Sequence, residues 1–314
     1  MTCHNCQLKA VKAGKDRKGN QRYRCDKCKR RFQEQQEKLL DTMRLPEEKA
    51  LLVLQLLLEG NSVRSIQRIT GVQKRTTLNL LAMAGERCQE LMSERIKGVA
   101  VRDVQADEMW GFVQMKEKTR NRKALSDERI GDAYTYVGIE RNTKPVLAFH
   151  LGRRVEDHAI EFMRKLADAT TGDFQLTTDG FAPYRWATSF AFRGRGIDFA
   201  QLIKVYAASR EPETRYSPPV VVETKVKPVF GRPDPERICT SHVERNNLSM
   251  RTSIRRLTRL TNAFSKKWEN LHAALALYFA HYNFCRVHSS IRKTPAMESG
   301  LTEHVWSMRE LLAA

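Results

Sequence analysis

Three carboxylates, far apart along the chain, sit among neighbours that set them off from ordinary surface charge. Asp107 lies inside the apolar stretch "GVAVRDVQADEMWGFVQMK", Asp179 closes "FQLTTD" just before a glycine, and Glu244 heads "HVERNNLSMRTSIRR", a segment otherwise rich in arginine. An aspartate in an apolar strand is costly to bury without a partner. The C-terminal end of a strand in an α/β sheet is a common place for site residues. Taken singly, each also has a plain reading: Asp107 can face solvent, and Asp179 with Gly180 can be no more than a turn. Taken together, three clustered carboxylates cannot all stay charged cheaply. A divalent cation removes that cost, and hard oxygen ligands with open positions suit Mg²⁺ or Mn²⁺. Two such ions, about 4 Å apart, can clamp the attacking and leaving oxygens of a phosphate. Asn247, one helical turn beyond Glu244, can orient it or touch phosphate, and Arg251 and Arg255 extend the same side as candidate phosphate contacts. Glu108 follows Asp107 but points to the opposite strand face, which ranks it second as a ligand. His242 faces away from Glu244, and Trp110 reads as core.

A second constellation lies near the N-terminus. "CHNC" and "CDKC" place Cys3, Cys6, Cys25 and Cys28 as two tight pairs, the spacing of a structural tetrahedral Zn²⁺ site. His4 reads as a bystander. The spacer carries Lys9, Lys12, Lys15, Arg17, Lys18, Arg22 and Arg24, with Tyr23 and Phe32 as aromatics for a small core or for stacking. Such a metal stabilises a fold too small to stand alone. The other cysteines, Cys88, Cys239 and Cys285, are scattered, and with no signal-peptide form at the start a disulfide framework is not expected.

The elements that must position these groups follow from pattern. "PEEKALLVLQLLLEG" reads as a helix opened by Pro46 and stopped at Gly60. "NSVRSIQRITGV" predicts a short helix capped by Asn61 or Ser62, with Val63, Ile66 and Ile69 on its inner face. "QKRTTLNLLAMAGE" predicts a third helix with Leu78, Leu81 and Ala82 inward and Gln73, Lys74, Arg75, Thr76 and Thr77 outward. Short helix, glycine turn and helix with a basic start make a helix-turn-helix layout, whose second helix would enter a DNA major groove through Gln73, Lys74, Arg75 and Thr76. The same residues also fit an ordinary three-helix unit. From residue 99, three strands in sequence predict an antiparallel meander. An amphipathic helix over 156–170, a strand ending at Asp179, a helix from Pro183 and a strand over 197–207 follow, giving a mixed sheet with helices on both faces. Six of the ten prolines fall between 212 and 235, so 207–237 reads as an irregular insertion with an extended hairpin at "PPVVVETKVKPVF". A helix over 241–260 puts Val243, Met250, Ile254 and Leu257 on one stripe, with Glu244 at its border. A last helix over 266–283 carries Trp268, Leu271, Leu275, Tyr278 and Tyr282 as a packing stripe or a dimer face.

Bulk composition fits a polyanionic partner. Lys and Arg number 55 against 36 Asp and Glu, a formal net charge of +19, which suits nucleic acid. The richest apolar run, "LLVLQLLL", is far short of the roughly 20 residues a membrane span needs, so no membrane partner is expected and the reading is cytoplasmic and nucleoid-associated. The charge alone would equally suit an RNA-binding protein.

With these motifs in hand, the sequence resembles the DDE transposases of bacterial insertion sequences. "ADEMWGFV" at 106–113 is similar to the strand of the first aspartate, "TTDGFAPY" at 177–184 to the second-aspartate motif, and "HVERNNLSMR" at 242–251 to the glutamate helix. The stretch 257–301 is similar to the C-terminal helix and the Tyr-Asn…Arg…His…Thr-Pro-Ala tail of that family. The resemblance implies a ribonuclease H-like α/β catalytic domain at 98–300, preceded by a zinc ribbon at 1–35 and a helix-turn-helix domain at 36–97, and followed by a tail at 301–314. It implies Asp107, Asp179 and Glu244 as ligands of two Mg²⁺ or Mn²⁺ ions. The implied reaction is hydrolytic cleavage at transposon ends, then attack of the freed 3′-hydroxyl on target DNA by a homo-oligomer. A DNA-binding regulator on the same fold and a plain ribonuclease H-like nuclease are the rivals.

Overall fold

The computed structural model describes residues 1–3, 5–16, 21–33, 43–206 and 221–314. His4, Arg17, Lys18 and the first part of the proline-rich insertion therefore lie outside the described residues. The chain divides into two units, Met1–Arg44 and Leu45–Ala314.

The first unit is an antiparallel sheet of three short strands, β1 (Val11–Lys15), β2 (Gln21–Arg24) and β3 (Arg31–Gln33), in that order. Tyr23 and Phe32 pair across β2 and β3 and stack at 6.1 Å between ring centroids, which supplies the small apolar patch such a sheet needs. Residues Gln7 and Lys29, each one past the second cysteine of a pair, take left-handed backbone conformations (φ 56° for both). Each pair thereby closes into a tight knuckle with its sulfurs turned inward.

The second unit opens with three helices. α1 (Glu47–Leu58) starts after Pro46, with two glutamates in its first turn. α2 (Val63–Thr70) is capped by the Ser62 hydroxyl, which accepts the Ser65 N–H, and it ends at Gly71 with φ +73°, a conformation glycine adopts without Cβ strain. α3 (Lys74–Arg95) is the longest helix described. Its inner face differs by a fraction of a turn from the sequence expectation. Thr77, Leu80, Leu81 and Ala84 are buried, Ala82 is exposed, and the Thr77 hydroxyl donates back to the Gln73 carbonyl. Thr77 thus belongs to the packing face and not to the outward set. Ile69 is also a correction: it is 58% exposed, because α2 ends within one turn and leaves only Ile66 fully covered.

Beyond a two-residue strand, β4 (Val99–Ala100), comes the central strand β5 (Asp103–Val113). A short helix α4 (Glu117–Arg122) leads to β6 (Gly131–Glu140) and β7 (Val146–Gly152), which complete the meander. Helix α5 (Glu156–Ala169) and β8 (Thr170–Thr171), which pairs with β4, precede β9 (Phe174–Thr178). Helix α6 (Pro183–Ala191), β10 (Ile197–Tyr206) and β11 (Val221–Phe230) follow. The mixed six-stranded sheet runs β11-β10-β9-β5-β6-β7. β5, β9 and β10 are mutually parallel, and β6, β7 and β11 run against their neighbours. The segment expected to fold on itself as a hairpin is instead, over its described residues, the single strand β11, which pairs antiparallel with β10.

Helices α7 (Ser241–Ser253) and α8 (Trp268–Phe284) cover one face of the sheet; α5 and α6 cover the other. Side-chain alternation sets this: Tyr136 and Gly138 meet Phe162 and Leu166 of α5, whereas Phe149, paired with Val137, stacks on Phe279 of α8. Two short helices, α9 (Pro295–Glu298) and α10 (Met308–Ala313), close the chain. The stripe of α8 expected to be core or a dimer face is largely core: Leu271, Leu275, Tyr278 and Tyr282 are buried and Trp268 is half-buried, while the other side of α8 packs on α3. A Cβ on Gly85 of α3 would lie 2.5 Å from the Cα and Cβ of Ala273, so the two helices approach as closely as backbones allow. No helix among the described residues is long and apolar enough to cross a membrane.

Candidate active site

β9 stops at Thr178, which pairs with Ala106 of β5, while β5 runs on for seven more residues. Asp179 therefore lies just past a strand end, beside the point where β5 presents Asp107 and Glu108. Residues 107 and 108 do point to opposite faces, as expected from alternation: Asp107 pairs with Val137 on the α7 side and Glu108 with Tyr136 on the α5 side. The strand end removes the barrier between the faces. Asp107, Glu108 and Asp179 each bring one oxygen to within 4.8 Å of the others. The adjacent carboxylates Asp107 and Glu108 were the signal for this in the sequence; the register that ends β9 beside them was not visible there.

α7 is keyed to β5 by Gln105. Its fully buried Oε1 accepts the N–H groups of His242 and Val243 at 2.9 and 3.3 Å, which fixes the start of the helix over the strand. Two residues along the same face of β5, Asp107 Oδ2 accepts from Asn247 Nδ2 at 2.8 Å. Glu244, one turn earlier on α7, lines the same cavity of about 630 Å³ as Asp107 and Asp179. It is not a member of the tight oxygen cluster. Its Oε1 is held by the ammonium of Lys204 on β10 and the hydroxyl of Thr240. Asp179 is set by an Asx-type turn: Oδ1 accepts the Phe181 N–H at 3.0 Å, and its carbonyl accepts from Gln201.

Two basic residues not singled out from the sequence complete the site. Arg154, just past β7, donates to Glu108 Oε2 and Asp179 Oδ2, both at 3.1 Å, and lies over the ring of Phe181. Lys204 faces Glu244. Each cation is matched to a carboxylate by tertiary geometry alone.

The electrostatics follow from this crowding. Burial pushes Asp107 up to about 7, and the neighbouring charges of Asp179 and Glu244 add to it. Glu108, with its side chain 2% exposed, is pushed up to about 8, again by burial first and by Asp179 next. Burial also raises Asp179, against the pull of the Phe181 N–H and Arg154. Asp103, at the other end of β5, is also raised by burial but differs in its partners. It is equally buried, yet it sits between the guanidinium groups of Arg141 and Arg237 at 3.1 and 3.4 Å, a structural ion pair. The cluster at 107, 108 and 179 has an oxygen-only donor set, and it fits a hard divalent cation.

The arginines expected beside Glu244 divide. Arg251 lines the cavity, but it donates to the carbonyls of Trp110 and Leu257 at 2.9 and 3.1 Å, so it braces the end of α7 on β5. Arg255 is displaced altogether. α7 ends at Ser253 and the chain continues as a 3₁₀ turn, 255–257, which carries Arg255 to a separate hollow of about 770 Å³ lined also by Arg64 and Lys74. The apolar stripe Val243, Met250, Ile254 and Leu257 is buried as expected, because the turn keeps Leu257 inward after the helix stops. Trp110 is half-buried on the cavity rim with Lys116 over its ring at 5.4 Å, not core. Gln73, Lys74 and Arg75 are exposed at the start of α3, and Thr76 is half-buried.

In the first unit, the sulfurs of Cys3, Cys6, Cys25 and Cys28 lie within 4.8 Å of one another, with Cys3 and Cys28 Sγ at 3.6 Å. Four thiolates at Zn–S bonds of about 2.3 Å stand about 3.8 Å apart, so the cluster can hold zinc. The Arg30 N–H pulls Cys28 down to about 6, which readies one thiolate at neutral pH.

No family model matches the sequence, and no curated protein matches it. Among solved structures the chain is similar to one in the cryo-EM structure of the simian T-cell lymphotropic virus intasome in complex with PP2A regulatory subunit B56 gamma. The TM-score is 0.36 and the identity 12%, over 80% of this chain and 74% of that one. A likeness at that level carries no functional argument.

Proposed function

We propose that the chain is a DDE transposase of the bacterial insertion-sequence type, with a ribonuclease H-like catalytic domain at 98–300, a zinc ribbon at 1–35 and a helix-turn-helix segment at 36–97. The observation that carries this reading is the meeting of Asp179, just past the end of β9, with Asp107 on the neighbouring parallel strand β5, with Glu244 on the wall of the same cavity. Asp107, Asp179 and Glu244, joined by Glu108, would hold Mg²⁺ or Mn²⁺. A cation bound there supplies Lewis-acid activation of water or a 3′-hydroxyl and offsets charge on the phosphate. The protein's own part is positional. Asn247 fixes the Asp107 carboxylate, the Phe181 N–H fixes Asp179, and Lys204 keeps Glu244 on the cavity wall. Arg154 and Lys204 are cations that can pass from carboxylate to phosphate when DNA enters. Cys3, Cys6, Cys25 and Cys28 would bind structural zinc. Gln73, Lys74, Arg75 and Thr76 would meet duplex DNA, with Asn247 and Arg251 near the scissile phosphate, and two chains would pair two ends.

The test is strand transfer. Purified protein is mixed with a labelled DNA end and plasmid in Mg²⁺ or Mn²⁺. Joined product is expected, and Asp179→Asn abolishes it while binding persists. Cleavage without joining would favour a nuclease, salt-sensitive binding alone a regulator, and joining by the Asp179→Asn protein would overturn the site.

A further inference from the structure

A second cluster of metal-ligating side chains lies on the α5 face of the sheet, built from residues the carboxylate site does not use. His150 comes from β7 and is 6% exposed; His158 and Glu161 come from α5, three residues apart and so on one helix face. Each can bring one ligand atom to within 4.8 Å of the others. His150 Nε2 and His158 Nδ1 are 2.8 Å apart, and His150 Nδ1 is 3.4 Å from Glu161 Oε1.

The backbone makes room for this convergence. A Cβ on Gly152 would fall 2.5 Å from His158 Cγ and 2.8 Å from His150 Nε2. Any other residue at that strand position would push the imidazoles apart. Tyr136 closes the site from within, its ring 5.9 Å from that of His150. The ammonium of Lys165 sits at 3.2 Å from His150 Nδ1 and 3.3 Å from Glu161 Oε1, so a cation already bridges two of the three donors. Lys165 is one turn beyond Glu161, with a side chain 40% exposed, and can swing to water without moving the helix.

We propose that His150, His158 and Glu161 form a binding site for a borderline transition-metal ion, Zn²⁺, Ni²⁺ or Cu²⁺, with which the Lys165 ammonium beside His150 and Glu161 competes. Two imidazoles and one carboxylate with an outward fourth position are the donor set such ions select over Mg²⁺. Metal–nitrogen bonds of about 2.0 Å at a tetrahedral angle set the nitrogens about 3.3 Å apart, so the pair opens by roughly half an ångström. A bound ion ties α5 to β7 and braces the wall that carries Arg153 and Arg154. The inference does not depend on the reaction at Asp107.

The experiment uses the full chain with its four-cysteine site filled by zinc, titrated with Cu²⁺ and followed by electron paramagnetic resonance. One further equivalent is expected, with hyperfine structure from two imidazole nitrogens, lost in His158→Ala and retained in Asp179→Asn. Lys165→Met removes the competing charge and is expected to tighten binding about threefold, in line with about 0.6 kcal/mol for a partly exposed charge. That gain separates coordination from a merely structural role for the pair. A two-nitrogen signal that survives His158→Ala, its absence from the unaltered protein, or equal affinity in Lys165→Met would each overturn the proposal.

Discussion

The side-chain amide of Asn247 donates to Oδ2 of Asp107 across the gap between a helix and the central strand, at 2.8 Å. Asp107 is one of three carboxylates in this cluster raised by burial or mutual charge, and this amide fixes one of its oxygens. Outer partners of this kind are worth about 10–100-fold in metal affinity or activity. Asn247→Ala is expected to lower strand transfer by that factor, with a loss of about 1 kcal/mol in stability for one hydrogen bond. Unchanged turnover with intact folding would remove Asn247 from the site.

The carboxylate cluster predicts how stability responds to pH. Asp107 and Glu108 have folded-state values near 7 and 8, above their ordinary carboxylate values. The native protein therefore binds more protons than the unfolded chain between about pH 4 and 8, and stability falls as pH rises through that window. In Mg²⁺-free buffer the urea midpoint is expected to drop from pH 5 to pH 8, and Mg²⁺ is expected to restore it at pH 8. Asp107→Asn should flatten the profile; a profile rising with pH would contradict the crowding described.

Lys74 and Arg75 stand exposed at the start of α3. Each phosphate contact contributes about −0.9 to the slope of log K against log salt. Lys74→Ala and Arg75→Ala are each expected to reduce that slope by about 1 on any duplex. Gln73→Ala should instead alter preference among sequences. An unchanged slope in both charge variants would leave the helices as packing elements alone.

The four-cysteine site predicts a separable loss. A zinc-selective chelator is expected to release one ion per chain, and replacement by Co²⁺ should give the intense absorption of thiolate ligation. Cys25→Ser should remove that spectrum. The near-ultraviolet circular dichroism of the tryptophans, all of which lie beyond residue 44, should persist. A chain that loses that signal too would have its two units folding as one.

Gly85 gives a packing prediction. With Ala273 atoms 2.5 Å from any added Cβ, Gly85→Val forces α3 and α8 apart. The expected loss is about 1–3 kcal/mol, read as a lower melting temperature.

Much of this was legible from residue type and period. Asp107 within an apolar strand, Asp179 at a strand end and the buried stripe from Val243 to Leu257 fall where alternation and helical spacing put them. What local pattern could not carry was contact across elements. Glu108 ranks second by its face, yet β9 makes its last pair at Ala106, two residues short of it, and opens a path around the strand. Arg255 is placed on the site face only by continuing α7 to residue 260, past its real end at Ser253. Ile69 was turned inward by a period that α2 is too short to complete. Arg154 and Lys204, the cations that face the carboxylates, lie on segments whose partners are set by sheet order, which no spacing in the chain encodes.

The seam between α3 and α8, closed at Gly85 and Ala273, has a geometric consequence. The helix whose exposed start offers Lys74 and Arg75 is packed backbone to backbone on α8, within the same compact unit as Asp107 and Asp179. Under the proposed function, a DNA end held at the first and cut at the second would be measured by the packing between them, and an end lengthened by a single base pair would offer the wrong phosphate.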